Sequence, residues 1–215
     1  MNIVLVHGIF DNGGIFQPLV QALERDGHRC WAPALKPADG RTGIVDLAHK
    51  LKTYINQHLD PDAELEIVGF SMGCIVSRYY LQMLSGATRT KVFFAISGPH
   101  SGTLMAYMYP GQGARDLRPD SPLLQALKQS EGRLSPVELF AYWTSRDLMI
   151  LPATSCCWPL ATYCLNAKVL IHRSMPSSAL VRDDIVRRMR EIQDARGAHA
   201  FEKGVLSAGS QSHTM

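Results

Sequence analysis

The sequence predicts one α/β domain in which helices cover both faces of a mostly parallel, six-stranded sheet. Its length of 215 residues suits a single domain with a sizeable core. Apolar residues make up 46% of the chain and charged residues 19%, which is an ordinary globular composition. Short β-type runs alternate with amphipathic helical runs, and strands that are separated by helices pair in parallel.

The first half of the chain contains two strands and two helices of this pattern. Residues 2–8, NIVLVHG, predict a buried strand because they are apolar, rich in β-branched side chains and closed by glycine. A predicted helix over 13–27 and a second strand over 30–35 follow. Apolar residues then recur at steps of three and four, which predicts a helix with one apolar face over 43–59.

The second half repeats the alternation around a loop-rich segment. Its predicted strands cover 64–70, 91–97, 137–145 and 167–172, and its predicted helices cover 72–84, 121–129 and 180–195. Gly, Pro, Ser and Asp are frequent over 99–136, which indicates loops and little or no lid. We expect the domain to span 1–200 and residues 201–215 to form a loose tail.

Charge and cysteine content argue against several classes of function and indicate a cellular location. The net charge is +3, and the densest basic run, VRRMR at 186–190, is interpreted as a solvated helix face, not a nucleic-acid or membrane site. No run approaches the roughly 20 apolar residues of a membrane span. The first residues, MNIVLVHG, lack the basic region and cleavage site of a signal peptide. The five cysteines show no zinc-binding or CxxC spacing, so we expect free thiols, no metal and a cytoplasmic location.

The segment GFSMG at 69–73 places a serine directly between a predicted strand and a predicted helix. A chain that turns this sharply strains the junction residue and requires small neighbours two positions away, which Gly69 and Gly73 provide. The strain exposes the Ser71 hydroxyl, and the backbone N–H of Met72 lies at a helix N-terminus, where anions are stabilised. The segment therefore predicts Ser71 as a nucleophile; the alternative is a serine with a structural role only.

A serine nucleophile needs a general base, and that base needs an orienting acid. Where the serine lies on such a strand-to-helix turn, the chain order is serine, acid, histidine. Asp147 follows the predicted strand 137–145, and His172 ends the predicted strand 167–172, so both lie at the carboxyl edge of the sheet. We therefore predict Asp147 as the acid and His172 as the base.

Other carboxylates and histidines are weaker candidates for these two roles. The alternative for Asp147 itself is a solvated loop carboxylate or a helix cap. None of the rival acids follows a predicted strand; they are Asp116, Asp120, Asp183 and Asp184. The rival histidines are His100, which precedes Asp147, and His199 and His213, which lie in or near the tail.

An oxyanion hole is predicted in the segment HGIFDNGG at 7–14, which follows the first strand. Its glycines allow backbone N–H groups to turn towards a substrate oxygen. We expect the N–H of Ile9, or alternatively that of Phe10, to act together with the N–H of Met72, while His7 braces the loop. A tight turn without a function is the alternative.

Five segments in order resemble the α/β-hydrolase superfamily, and within it the small bacterial lipases and esterases. They are VLVHGIF, IVGFSMGCIVSRYYL, ISGPHSGT, DLRPDSPLLQAL and YWTSRDLMILPATS, and the resemblance runs from Asn2 to about Met189. It implies a minimal α/β-hydrolase fold and a serine hydrolase that cleaves carboxylic esters without a metal or cofactor. It also matches Ser71 to the nucleophile, Asp147 to the acid, and Ile9 and Met72 to the oxyanion donors.

The chain departs from these relatives at two places. Many of them carry GHSMGG at the nucleophile, whereas Phe70 and Cys74 replace the second and last residues here. Many also carry the catalytic histidine after a glycine, an alignment that would place Pro176 or a serine at that position. Others carry H-x-x-M just after the strand, and HRSM at 172–175 matches that pattern.

The leading expectation is an esterase or lipase for a small-molecule or lipid ester with an apolar acyl chain, acting through a Ser-Asp-His triad and an acyl-enzyme. Phe10, Phe70 and Met105 are candidate acyl-pocket residues, with Tyr107 and Met108 beside them; a core position is the alternative for each. A thioesterase, an amidase or a phospholipase-type enzyme would use the same triad. A non-catalytic binding protein on the same fold is the alternative of another class, and the oligomeric state is left open.

Overall fold

The six strands form one sheet in which every neighbouring pair is parallel. The computed structural model of the protein describes the backbone of residues 1–209 and the side chains of residues 1–197. The strands, in chain order β1 to β6, are Asn2–Val6, Arg29–Trp31, Leu65–Phe70, Thr90–Ile96, Glu138–Trp143 and Tyr163–Asn166. Their order across the sheet is β2-β1-β3-β4-β5-β6. The prediction of a parallel, six-stranded α/β-hydrolase sheet is confirmed.

Helices cover both faces of this sheet, as the alternating pattern predicted. The helices, in chain order α1 to α6, are Gln17–Arg25, Ile44–His58, Met72–Met83, Gln112–Asp116, Pro122–Gln129 and Ala179–Gly209. Side chains of α1 and α6 pack on one face, around Leu19 and Ile185. Side chains of α2, α3 and α5 pack on the other face, around Leu51 and Leu127. Each fully buried apolar side chain of this kind contributes about 1.5–3 kcal/mol to stability.

The strand order reverses next to β1, and this reversal places the functional site. The chain leaves β1 for β2 on one side and returns to form β3 on the other side. Connections of this kind leave a crevice outside the carboxyl ends of the two strands at the reversal, β1 and β3. The segment after β1 and the segment after β3 therefore face each other, and they carry Ile9 and Ser71 respectively.

Two strands differ from the sequence-based prediction. The sixth strand is Tyr163–Asn166, not 167–172, and the prediction at that place was wrong. The run KVLI looks like a strand because it is apolar and β-branched, but Leu170 is 65% exposed and Ile171 is 64% exposed. Lys168 has a φ of +54°, which interrupts any extended backbone. The second strand ends at Trp31, ahead of Pro33, which has no N–H for a ladder.

The last helix is longer than predicted. It runs from Ala179 to Gly209, whereas the sequence predicted 180–195. Its last residues overlap the expected tail over 201–215, and residues 210–215 lie outside the described residues. The division into a domain over 1–200 and a tail therefore stays a prediction. Within the described part of the chain, no helix is both long and apolar enough to cross a membrane.

Candidate active site

The nucleophile turn joins β3 to α3 through a single residue. Phe70 ends the strand, Met72 begins the helix, and Ser71 between them has φ 54° and ψ −125°. A non-glycine residue in this left-handed region of φ costs about 1–3 kcal/mol, so its surroundings must hold it there. The Ser71 N–H donates to the carbonyl of Ile96 at 2.9 Å, and the Ser71 carbonyl accepts from the N–H of Cys74 at 3.0 Å. Both bonds fix the strained turn.

The two glycines of GFSMG are required by close packing on both sides of the turn. A Cβ placed on Gly73 would lie 2.1 Å from the carbonyl oxygen of Val6, at the end of β1. A Cβ placed on Gly69 would lie 2.9 Å from the Cα of Cys74. The first turn of α3 thus lies directly against the strand ends, and no side chain larger than hydrogen fits at either position.

The segment after β1 also packs closely against the serine. A Cβ placed on Gly8 would lie 2.9 Å from the Cβ of Ser71. His7 braces this segment, because its Nε2 accepts from the N–H of Leu35 at 2.9 Å and its Nδ1–H donates to the carbonyl of Gly8 at 2.9 Å. Burial lowers the pKa of His7, which keeps the ring neutral and preserves both hydrogen bonds.

Two backbone N–H groups beside Ser71 are free to bind an oxyanion. The N–H of Phe10, the alternative donor, is occupied because it donates to the carbonyl of Ala38 at 2.7 Å. The N–H groups of Ile9 and Met72 have no acceptor in the part of the chain that the structure describes. Ile9 and Met72 line the same small cavity as Ser71, so their positions suit the oxyanion role that the sequence predicted for them.

Asp147 and His172 form a direct hydrogen bond. The distance between His172 Nδ1 and Asp147 Oδ2 is 2.7 Å. The other carboxylate oxygen, Oδ1, accepts from the N–H groups of Met149 and Ile150, each at 2.9 Å. Because a carboxylate only accepts, Nδ1 of His172 carries a hydrogen, and in the neutral form of the ring Nε2 carries none. The Asp147 side chain is fully buried, so it holds the imidazole in one tautomer and one orientation.

The backbone that positions His172 beside Asp147 differs from the strand that the sequence predicted. It does not end a strand; it begins a short 3₁₀ turn, His172–Ser174, beyond the irregular segment that follows β6. The hydroxyl of Thr144 donates to the carbonyl of Val169 at 2.7 Å, which ties this segment to the end of β5. Arg173 forms a salt bridge of 2.7 Å with Asp11, which ties it to the segment after β1.

Ser71 and His172 line one cavity of about 450 Å³. The His172 ring packs on Phe70, the residue before the serine, with ring centroids 5.0 Å apart. Among the hydrogen bonds of the described residues, none joins the Ser71 hydroxyl to His172. Catalytic hydrogen bonds are often long in enzymes without substrate and shorten when substrate binds. The structure thus brings all three predicted triad residues to one edge of the sheet.

The rival acids and histidines have other surroundings. Asp116 accepts from the N–H of Ile44 at 2.8 Å, at the first turn of α2. Asp184 accepts from Tyr142 at 2.9 Å and pairs with two arginines. His100 is buried and stacks on Trp158 with centroids 4.2 Å apart, away from the cavities that contain Ser71. The side chains of His199 and His213 lie outside the described residues.

The sequence profile of a family described as alpha/beta hydrolase fold matches residues 2–117, more than half of the chain. The chain belongs to the α/β-hydrolase fold family. The matched part of this α/β-hydrolase includes the segment 7–14 and the turn 69–73, and it ends before Asp147 and His172. No match was found among curated proteins.

Solved structures of other α/β-hydrolases superimpose on most of this chain at low sequence identity. The mature lipase BlEst2 of Bacillus licheniformis is 14% identical, with a TM-score of 0.63 over 81% of this chain and 86% of its own. The methylesterase MES16 of Arabidopsis is 12% identical, with a TM-score of 0.61 over 88% and 99%. A pyrethroid hydrolase of Sphingobium faniae is 14% identical, with a TM-score of 0.60 over 92% and 99%. Similarity at these identities shows the shared fold.

Two cavities of this α/β-hydrolase meet at Ser71, and the predicted pocket residues divide between them. Phe10 and Phe70 line the cavity of about 450 Å³, together with His172. Met105 lines the second cavity, of about 40 Å³, on the side of the serine where Met72 lies. The further candidates Tyr107 and Met108 are 56% and 74% exposed and line neither cavity.

Sequence reasoning missed several walls of these cavities. The large cavity is also lined by Leu148, Leu170 and Ile171, and the small one by Tyr109 and Leu117. Leu148 follows the acid directly, so its place beside the site could have been inferred. The sequence assigned Leu170 and Ile171 to a buried strand, so it did not predict that they are exposed at the cavity.

Proposed function

We propose that this protein is a serine hydrolase that cleaves carboxylic esters. The observation that carries the proposal is the hydrogen bond of 2.7 Å between Asp147 and His172, because His172 lines the cavity that contains the strained Ser71. A buried carboxylate, an imidazole bonded to it and a serine on a strand-to-helix turn are the components of a catalytic triad. The rival histidine, His100, has no such carboxylate partner.

The proposed reaction proceeds in two halves. Nε2 of His172 removes the proton from the Ser71 hydroxyl as its oxygen attacks the ester carbonyl carbon. The carbonyl oxygen becomes an oxyanion that accepts from the N–H groups of Ile9 and Met72, and each such donor is worth about 2.7–4 kcal/mol. His172 then gives the proton to the departing alcohol oxygen, which leaves an acyl-enzyme on Ser71. Water, activated by the same imidazole, releases the acid and restores the serine.

The character of the site favours an ester as the substrate. The walls of the large cavity are mostly apolar, which suits a neutral organic ester better than a charged substrate. The neighbouring structures are a lipase, a methylesterase and a pyrethroid hydrolase, and those names support the same class of chemistry. No helix of the described residues spans a membrane, and a cytoplasmic location remains part of the proposal, resting on the free cysteines.

The proposal is tested with a fluorophosphonate probe and a p-nitrophenyl ester. The wild type should react with the probe and hydrolyse the ester, and Ser71→Ala should do neither while it stays folded. Loss of a triad nucleophile typically lowers turnover by about 10⁶-fold.

Ser97 offers a matched control, because it too follows a strand, has a positive φ of 49° and is buried. Ser97→Ala should keep the labelling. Equal labelling of wild type and Ser71→Ala would show that another residue is the nucleophile. No labelling of the folded wild type would support a binding protein without catalysis instead.

A further inference from the structure

The two cavities that meet at Ser71 differ about tenfold in size. The larger has about 450 Å³ and the smaller about 40 Å³. An ester places one of its two parts on each side of the nucleophile. The assignment of the acyl part and the alcohol part to these cavities therefore decides which esters fit.

The position of the proposed base makes this assignment. In the proposed reaction the alcohol oxygen must receive its proton from His172, and His172 lines only the large cavity. Of the two proposed oxyanion donors, Ile9 lines both cavities and Met72 lines only the small one. The alcohol part therefore extends into the large cavity, and the acyl chain extends past Met105 into the small one.

We propose that the preferred substrates are esters of short acids with bulky, apolar alcohols. This inference rests on the function proposed above and adds the division of the substrate. The small cavity, at about 40 Å³, favours a short acyl group such as acetyl or propionyl over a longer one. The large cavity holds roughly ten times as much, enough for a ring system.

The walls of the small cavity are tied together by hydrogen bonds. The N–H of Thr103 donates to the carbonyl of Leu117 at 2.8 Å. The Thr103 hydroxyl donates to the carbonyl of Met149 at 3.0 Å and accepts from the N–H of Leu151 at 2.9 Å. The N–H of Leu104 donates to the carbonyl of Leu151 at 2.8 Å. Widening this cavity would break bonds between the segment after β4 and the loop that contains Asp147, so its present width favours a short acyl chain.

The walls of the large cavity are exposed and apolar. Leu148 is 75% exposed, Leu170 is 65% exposed and Phe10 is 58% exposed. An apolar alcohol group would remove these side chains from water, at a gain of about 25 cal/mol for each Å² buried. Size and polarity therefore both favour a bulky alcohol on this side of the serine.

Two isomeric esters test the division in the wild type. Naphthylmethyl acetate has a short acyl part and a bulky alcohol, and methyl naphthylacetate has the reverse; both release a simple primary alcohol. We expect kcat/KM to be at least about tenfold higher for the acetate, because a misplaced ring system clashes with the small cavity. A preference for methyl naphthylacetate overturns the inference.

A variant series tests the same division with one leaving group. With p-nitrophenyl acetate and p-nitrophenyl hexanoate, the wild type should prefer the acetate, and Met105→Ala should raise the hexanoate-to-acetate ratio of kcat/KM at least about fivefold. Met108→Ala is the control, because Met108 belongs to the same short helix but lines neither cavity.

Three outcomes contradict the inference: a wild-type preference for hexanoate, a ratio in Met105→Ala equal to that of the wild type, or an equal rise in Met108→Ala. Each of these leaves the proposed ester hydrolysis standing. A folded wild type that cleaves every ester as slowly as Ser71→Ala overturns the proposed function and the inference together.

Discussion

Asp147 binds His172 with one carboxylate oxygen and two backbone N–H groups with the other. The bond from His172 Nδ1 measures 2.7 Å, and those from Met149 and Ile150 measure 2.9 Å each. All three groups are donors, so the carboxylate is satisfied in its ionised form although its side chain is fully buried. The acid therefore shapes its own loop and orients the proposed base at the same time.

Asp147→Asn should abolish most activity with little effect on the fold. The amide can still accept from the two loop N–H groups, but its NH₂ would face Nδ1 and favour the imidazole tautomer with the hydrogen on Nε2. That tautomer cannot take a proton from Ser71, so we expect kcat to fall by about 10⁴-fold.

Steady-state kinetics and thermal unfolding measure the two effects of Asp147→Asn separately. Asp116→Asn is the matched control, since Asp116 is a buried acid that accepts from the N–H of Ile44 and from Gln112. It should lower the unfolding temperature and keep kcat. Full activity in Asp147→Asn would remove Asp147 from the triad.

His172→Ala should lose fluorophosphonate labelling almost as completely as Ser71→Ala. An unactivated hydroxyl attacks slowly, and no other histidine among the described side chains lines a cavity with Ser71. His100→Ala should keep most of the labelling, because His100 stacks on Trp158 away from the serine. The reverse pattern, active at 172 and inactive at 100, would show that the base is wrongly assigned.

Gly73→Ala should destabilise the whole domain. The added Cβ would lie 2.1 Å from the carbonyl oxygen of Val6 and 2.6 Å from that of His7, which are backbone atoms of the central strand and its end. We expect the free energy of unfolding in urea to fall by about 3 kcal/mol. Gly132→Ala serves as the control, because no atom lies within 4 Å of its added Cβ. Equal stability of the two variants would contradict the packing at the nucleophile turn.

Acid should destabilise the protein through His100. Burial, together with the nearby Arg78 guanidinium, holds the pKa of His100 well below its ordinary value of 6.5. The unfolded chain therefore binds more protons than the folded chain below pH 6.5, and stability is lost as the pH falls from there. The lowered pKa of His7 acts in the same direction.

His100→Phe isolates this effect, because phenylalanine keeps the stack on Trp158 and cannot be protonated. Neither ring nitrogen of His100 has a hydrogen-bond partner, so the substitution removes no such bond. We expect the free energy of unfolding to depend less steeply on pH below 6.5 in the variant than in the wild type. Identical slopes in the two proteins would contradict a proton-linked role for His100.

The part of the site that the sequence predicted best depends on local geometry. GFSMG predicts a strained turn because its two glycines and its position after an apolar run are local features. The chain order and the H-x-x-M pattern predicted His172 as the base, which stays a prediction, and the strand assigned to it was wrong. Apolar, β-branched residues at 167–171 indicate burial, and no local signal distinguishes a buried strand from an exposed cavity wall.

The division of the site into two cavities lay beyond sequence reasoning. Phe10, Phe70 and Met105 come from three segments, and only the packed sheet decides on which side of Ser71 each one lies. The sequence likewise left Ile9 and Phe10 as alternative oxyanion donors, and the bond from the Phe10 N–H to Ala38 favours Ile9 for the proposed role. Both distinctions depend on contacts between distant segments.

The segment 170–173 has a consequence for how this site can change over evolutionary time. It carries two exposed walls of the large cavity, Leu170 and Ile171, and next to them His172 and the salt-bridged Arg173. Mutations that reshape the large cavity there also move the imidazole. A change of specificity on that side should therefore lower the catalytic rate. Met105 lies on the segment after β4 and lines only the small cavity, so selection can alter it without a change in the segment that carries His172. Diversification of related enzymes should therefore proceed faster on the Met105 side than on the Leu170 side.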